Sequence, residues 1–167
     1  MEDSISKSAE AKDFCIKNGL NQNVAIFVDL SKRSGVKRLF VVNLDKDSLI
    51  YSGLVANGHC KNYTRRSTQF SNEIGSNCSS QGRYKLGGKY QGSFGTAYKL
   101  YGLDSTNSNA FKRFVVLHAH ACVPDDEQLV GICRSEGCPT VSPLFLKKLE
   151  VVIDASPQPL LMWIFGK

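Results

Sequence analysis

Apolar residues in this chain gather in short runs parted by polar turns, and the runs are of strand length. VAIFVDL (Val24–Leu30) is an unbroken apolar and β-branched run, closed by the turn SKRSG. RLFVVNL (Arg38–Leu44), the turn DKDS and LIYSGLVANG (Leu49–Gly58) follow, so the pattern predicts an antiparallel meander. Before it, Ser4–Asn18 reads as one helix, with Ser4 or Ser8 as the cap and Gly19 where a left-handed residue ends the last turn. Residues 59–92 are rich in Gly, Ser, Asn and Tyr, which predicts a long surface stretch of turns, bulges and short strands. Two more strands are expected around Ser93–Tyr101 and Arg113–Cys122. Ser142 suits a helix N-cap and Pro143 a first helical position, so PLFLKKLEVV reads as a short helix and LLMWIFG as a closing strand. The pattern is mainly β with one or two helices: a twisted sandwich or partly closed barrel.

Composition narrows the class. A chain of 167 residues, 42% hydrophobic and 22% charged, has the make-up of a globular domain with a real core rather than a disordered segment. The net charge of +6 is spread out; its densest groups, Lys32-Arg33 with Lys37-Arg38 and Arg65-Arg66, are short and read as solvated surface. An anionic partner is the alternative, but no nucleic-acid-binding motif is present, so nucleic acid is not expected. The longest apolar run, Leu160–Phe165, is too short to cross a membrane, so no transmembrane segment is expected. MEDSISKSAEAK carries no signal-peptide core, which fits either a cytoplasmic protein or the mature form of an exported one with an added Met1.

The chemistry concentrates in two stretches, VVLHAHACVP (Val115–Pro124) and CRSEGCPTVSP (Cys133–Pro143). On a strand, Val115, Leu117, Ala119 and Ala121 would share one apolar face, while Val116, His118, His120 and Cys122 share the other. Both histidines then face a cleft within reach of Cys138. Three readings follow: a thiolate nucleophile with an imidazole base, a metal site drawn from His118, His120, Cys122, Cys133 and Cys138, or interior histidines and small buried thiols. Spacing alone ranks the interior reading first, catalysis second and metal third. The six cysteines form no CxxC pair, which speaks against a structural zinc ribbon.

The same two stretches resemble the L,D-transpeptidase catalytic domain, in the subfamily often labelled murein L,D-transpeptidase. That family carries a strand-end His and, after a loop, Ser-x-Gly-Cys; here these are His118 and Ser135-Glu136-Gly137-Cys138, with sixteen residues between His118 and Ser135. The block FSNEIGSNCSSQGRYKLGGKYQGSFGTAYKLYGLDSTNSNAFKRFVVLH and the meander VAIFVDLSKRSGVKRLFVVNL resemble it too, so the likeness covers the chain from Val24 onwards. It implies an L,D-transpeptidase-like β-sandwich over residues 24–167, preceded by a helical extension over 1–23. It also implies acyl transfer on peptidoglycan stem peptides. Cys138 would attack the bond between a diamino acid's L-centre and the terminal D-Ala. His118 would be the base, with His120 in reserve, and Ser135 would shape the loop. The amides of Gly137 and Cys138 would hold the oxyanion. Arg134 would meet a substrate carboxylate or support the thiolate, against the alternative of a surface salt bridge. No cofactor and no metal is implied, carbapenem β-lactams are expected acylating inhibitors, and the place of action is the periplasm or cell envelope.

Three departures stand out. Glu136 takes a position where many members have His, and would oppose the thiolate unless Arg134 pairs with it. Ala119 replaces Gly, and Asn57-Gly58 replaces His-Gly. A water acceptor, giving an L,D-carboxypeptidase or endopeptidase, stays open, as does a non-catalytic wall- or metal-binding module. Cys122 and Cys133 flank the motif loop, where export would favour a bridge over two free buried thiols.

Overall fold

A computed structural model describes residues 7–63 and 67–166. Helix α1 (Ser8–Asn18) leads into β1 (Val24–Asp29), β2 (Leu39–Asn43) and β3 (Ser48–Gly53). The long hairpin β4 (Gly82–Gly92) and β5 (Gly95–Gly102) follows, then a 3-10 turn at Ser105–Asn107 and β6 (Val116–Ala119). The short β7 (Thr140–Val141), helix α2 (Pro143–Asp154) and β8 (Leu161–Phe165) complete the order. All strands belong to one mixed sheet, ordered β3-β2-β1-β8-β4-β5-β6-β7.

The unbroken apolar run of β1 has a direct cause: the strand is covered on both faces. Ile26 and Val28 join a core with Leu86, Leu117 and Met162 and with Phe145, Leu146 and Leu149 of α2. Ala25 and Phe27 point the other way, against Ala11 and Cys15 of α1. β1 pairs antiparallel with β2 and parallel with β8, and β8 in turn pairs antiparallel with β4, so the last strand joins the meander to the β4–β7 half. The sheet does not close. Past β3 the chain instead bridges to the far edge, Ala56 to Thr140 and Gly58 to Ser135, which is the partial closure expected of this mainly β fold.

Several local expectations hold. Gly19 ends α1 at φ 65°, and Ser142 caps α2 by accepting from the Phe145 amide, with Pro143 in the first turn. Others do not. Lys7, not Ser8, is the N-cap of α1, while Ser4 and Arg65-Arg66 lie outside the described residues. Residues 59–92 are not all surface loop, because their last eleven form β4. Four glycines mask that strand, but Tyr84 and Leu86 alternate inward, and Gly87-Gly88 form a bulge where a Cβ on Gly87 would meet the Tyr101 ring at 2.4 Å. Arg38 is not solvated surface. It is 1% exposed and donates to Val55 O, Asn57 Oδ1 and Lys32 O, and burial pushes its pKa down to about 10.

Candidate active site

The seam between the two sheet edges holds a cavity of about 660 Å³. β6 brings His118 to it, with His120 just past the strand end. The connection to β7 brings Arg134, Ser135, Glu136 and Cys138, and β7 brings Thr140. The expected shared face of the two histidines is therefore present. The opposite face fails beyond Ala119, since β6 stops there and Ala121 is exposed.

The six thiols sort themselves. Cys60 pairs with Cys78, and Cys122 with Cys133, leaving Cys15 buried under α1 and Cys138 free in the cavity. The second bridge takes Cys122 and Cys133 out of any metal-ligand set. Among the described residues no group of three His, Cys, Asp or Glu is placed to hold a metal ion.

The Ser-x-Gly-Cys turn is held from several sides. Ser135 Oγ donates to Cys138 O at 2.6 Å and accepts from the Gly137 amide at 3.3 Å. Ser135 N–H donates to Asn57 O, and the His59 amide donates to Ser135 O. Arg38, just before β2, donates to the Asn57 side chain, so a buried cation steadies the 54–58 segment to which the turn is bonded. Gly137 sits at φ 119°, and a Cβ there would meet Cys78 O at 2.8 Å, so only glycine fits.

Around the sulfur, the Val116 amide donates to Sγ at 3.5 Å and Phe114 O lies 3.7 Å away. Phe114 holds φ 56° while 84% exposed, a costly backbone for a bulky residue and one that turns its carbonyl toward the thiol. Burial pushes the Cys138 thiol up; the Val116 amide and the Arg113 charge oppose this, and Glu136 adds to it. Burial likewise pushes His118 down, against its bond to Ala119 O. At neutral pH the resting pair is thiol and neutral imidazole.

His118 is 7% exposed and fully engaged. Its Nδ1 lies 3.1 Å from Ala119 O, and since a carbonyl only accepts, the ring proton sits on Nδ1. Nε2, 3.1 Å from Thr140 Oγ1, then accepts from that hydroxyl. Thr140 Oγ1 also lies 3.3 Å from Cys138 O. When Nε2 gains a proton it becomes the donor, and the hydroxyl can turn its own proton to Cys138 O. His118 and Cys138 thus share a cavity, yet the resting sulfur has its contacts with Val116 and Phe114. His120 is exposed, and its Nδ1 accepts from the Cys122 amide.

Sequence reasoning missed four contributors. Thr140 engages the imidazole. Arg113 donates to Ser71 O, Ser76 Oγ, Cys78 O and Ser80 Oγ while placing its charge toward Cys138. Phe94, at the β4–β5 tip, stacks on His118 with centroids 4.9 Å apart and meets His120 edge-on. Phe114 is the fourth. Thr140 had a signal, since it follows Cys138 by two residues; the others meet the site only through the fold. The expected Arg134–Glu136 pair does not form: both line the cavity, and among the described residues neither has an ion-pair partner.

The profile of the L,D-transpeptidase catalytic domain matches residues 2–162. The chain belongs to that family. Among solved structures, the helical cell shape determining protein Pgp2 of Campylobacter jejuni is similar at TM-score 0.57 and 13% identity, over 93% of this chain and 55% of that one. An L,D-transpeptidase in complex with imipenem is similar at TM-score 0.51 and 10% identity, over 86% and 59%. A carbamoyl enzyme formed with avibactam gives 0.54 and 13%, over 88% and 50%. This L,D-transpeptidase domain therefore spans little more than half the length of these neighbours, and at such identities they share its fold. No curated protein matches it. Among the described residues no helix is long and apolar enough to cross a membrane.

Proposed function

We propose that this domain is a cysteine-dependent peptidoglycan L,D-transpeptidase. The observation that supports it most is a free thiol, Cys138, left in one cavity with the buried, hydroxyl-bonded His118 while Cys122 and Cys133 are paired. His118 takes the thiol proton on Nε2. The sulfur attacks the carbonyl between the diamino acid's L-centre and the terminal D-Ala, forming a C–S bond as the carbonyl becomes an oxyanion. The Cys138 amide and the Gly137 amide, the latter shared with Ser135 Oγ, face that oxyanion. Collapse breaks the C–N bond, and His118 returns its proton to the leaving D-Ala amine. An amine of a second stem then attacks the thioester and releases the thiol. Water in its place gives the carboxypeptidase or endopeptidase outcome from the same intermediate. Arg134, without an ion-pair partner among the described residues, is assigned to a substrate carboxylate. Two disulfides suit an oxidising compartment, in keeping with action at the cell envelope after export.

The test is intact-protein mass spectrometry with a carbapenem and with a tetrapeptide stem. Wild type is expected to gain one acyl adduct and to release D-Ala, and Cys138→Ala to do neither while keeping its melting transition. D-Ala release by the Cys138→Ala protein would overturn the reading.

A further inference from the structure

Glu136 is the carboxylate that lines the cavity, and the reaction above gives it no task. It is exposed, it follows Ser135 in a turn fixed by the Ser135–Cys138 bond and by the tight seat of Gly137, and no described residue pairs with its charge. A charge in that place is a liability for a nucleophilic sulfur: Glu136 disfavours ionisation of Cys138, two residues on. Nothing in the fold requires it, since the side chain packs in no core cluster and the turn is bonded through backbone groups and Ser135. The same cavity carries Lys112 and Arg134, also without ion-pair partners among the described residues. Charges of both signs, kept apart and unsatisfied around one thiol, match a ligand that brings both signs itself.

We propose that Glu136 is the receptor for a primary ammonium group of the stem peptide, and so a specificity-determining residue of this active site. The assignment rests on the transferase reading and deepens it. An ammonium seated on Glu136 neutralises the carboxylate that opposes the thiolate, so the correct ligand removes a barrier to its own attack. A ligand lacking the ammonium leaves that barrier in place. The group is the side-chain ammonium of the donor stem's diamino acid, since the acceptor amine has to be neutral to attack and acts only after the sulfur is acylated.

Hydrolysis of a tetrapeptide donor alone, with its side-chain amine free or acetylated, reports on a donor ammonium. Glu136→Gln is expected to raise KM for the free-amine donor about five-fold more than for the acetylated donor, and Glu136→Asp to restore part of it. Equal effects on the free-amine and acetylated donors overturn the proposal. If wild type turns over no stem, the transferase reading fails, and the thiol itself then decides on Glu136. 2-Aminoethyl methanethiosulfonate and methyl methanethiosulfonate both react by attack of the Cys138 sulfur on the sulfenyl sulfur, forming S–S and releasing methanesulfinate. A cationic-to-neutral rate ratio about five-fold lower in Glu136→Gln than in wild type upholds an ammonium receptor, and an unchanged ratio overturns it.

Discussion

Thr140 is the residue whose hydroxyl decides what His118 can do. It supplies the one proton Nε2 accepts in the neutral ring, and it has Cys138 O at hand when the imidazole becomes a donor. Thr140→Val keeps the shape and removes that hydroxyl. The expected result is a fall in kcat of about ten-fold, from roughly 1.4 kcal/mol of lost hydrogen bonding, with KM little changed and Thr140→Ser close to wild type. A Val variant with wild-type kcat would reduce Thr140 to a packing residue. At this scale the sequence carried the groups proposed to react and hid those that surround them. Cys138, His118 and Ser135 lie in a recognisable spacing. Arg113 reaches the site by folding back through the 71–80 loop, and Phe94 by sitting at the tip of a hairpin whose first strand was itself concealed by glycines. Neither relation has a short-range sequence signature.

The connection between β6 and β7 carries the motif, and the Cys122–Cys133 bridge ties its start to the position just before Arg134. Both cysteines line the cavity. A loop of this length is expected to lose about 3 kcal/mol of stabilisation when the bridge is removed, chiefly through freedom gained by the unfolded chain. The double variant Cys122→Ser with Cys133→Ser should show that loss as a lower urea midpoint, together with weaker turnover as the turn bearing Arg134 and Glu136 loosens. An unchanged midpoint would mean the loop is held by its backbone bonds alone. Elements with strong periodicity or clean punctuation were legible: the meander, the Gly19 stop and the Ser142-Pro143 start. The bridging of residues 54–58 to β7 was not, because LIYSGLVANG reads as one strand while the chain leaves β3 at Gly53 and pairs with a segment far away in sequence.

Across the whole molecule the titrating groups with shifted values bracket a plateau of stability. His118 is held below its ordinary value of 6.5 and Asp104 and Asp154 below 3.8, so each favours the folded state above those values and loses that contribution as pH falls. Cys15, pushed up by burial to about 11, Tyr84, pushed up to about 12, and Cys138 act in the opposite sense: their contributions hold below the ordinary thiol and phenol values and fade as pH rises. Urea midpoints measured against pH are expected to be flat from about pH 6.5 to about pH 9 and to fall on both sides, the acid side beginning with His118. A maximum near pH 5 would contradict the burial described for that ring. The mainly β class was readable because the apolar runs are continuous where both faces are covered. The order of strands was not, since nothing local says that the first and last strands lie side by side.

That neighbourhood governs how the molecule can be assembled. Ala25 pairs with Leu161, so the centre of the sheet waits for β8, the last of its eight strands to be made. Until β8 arrives, the meander and the β4–β7 half have no shared strand between them. The contacts that complete the core are among the most distant in this sequence, which makes for slow folding and a domain that stays open until β8 is in place.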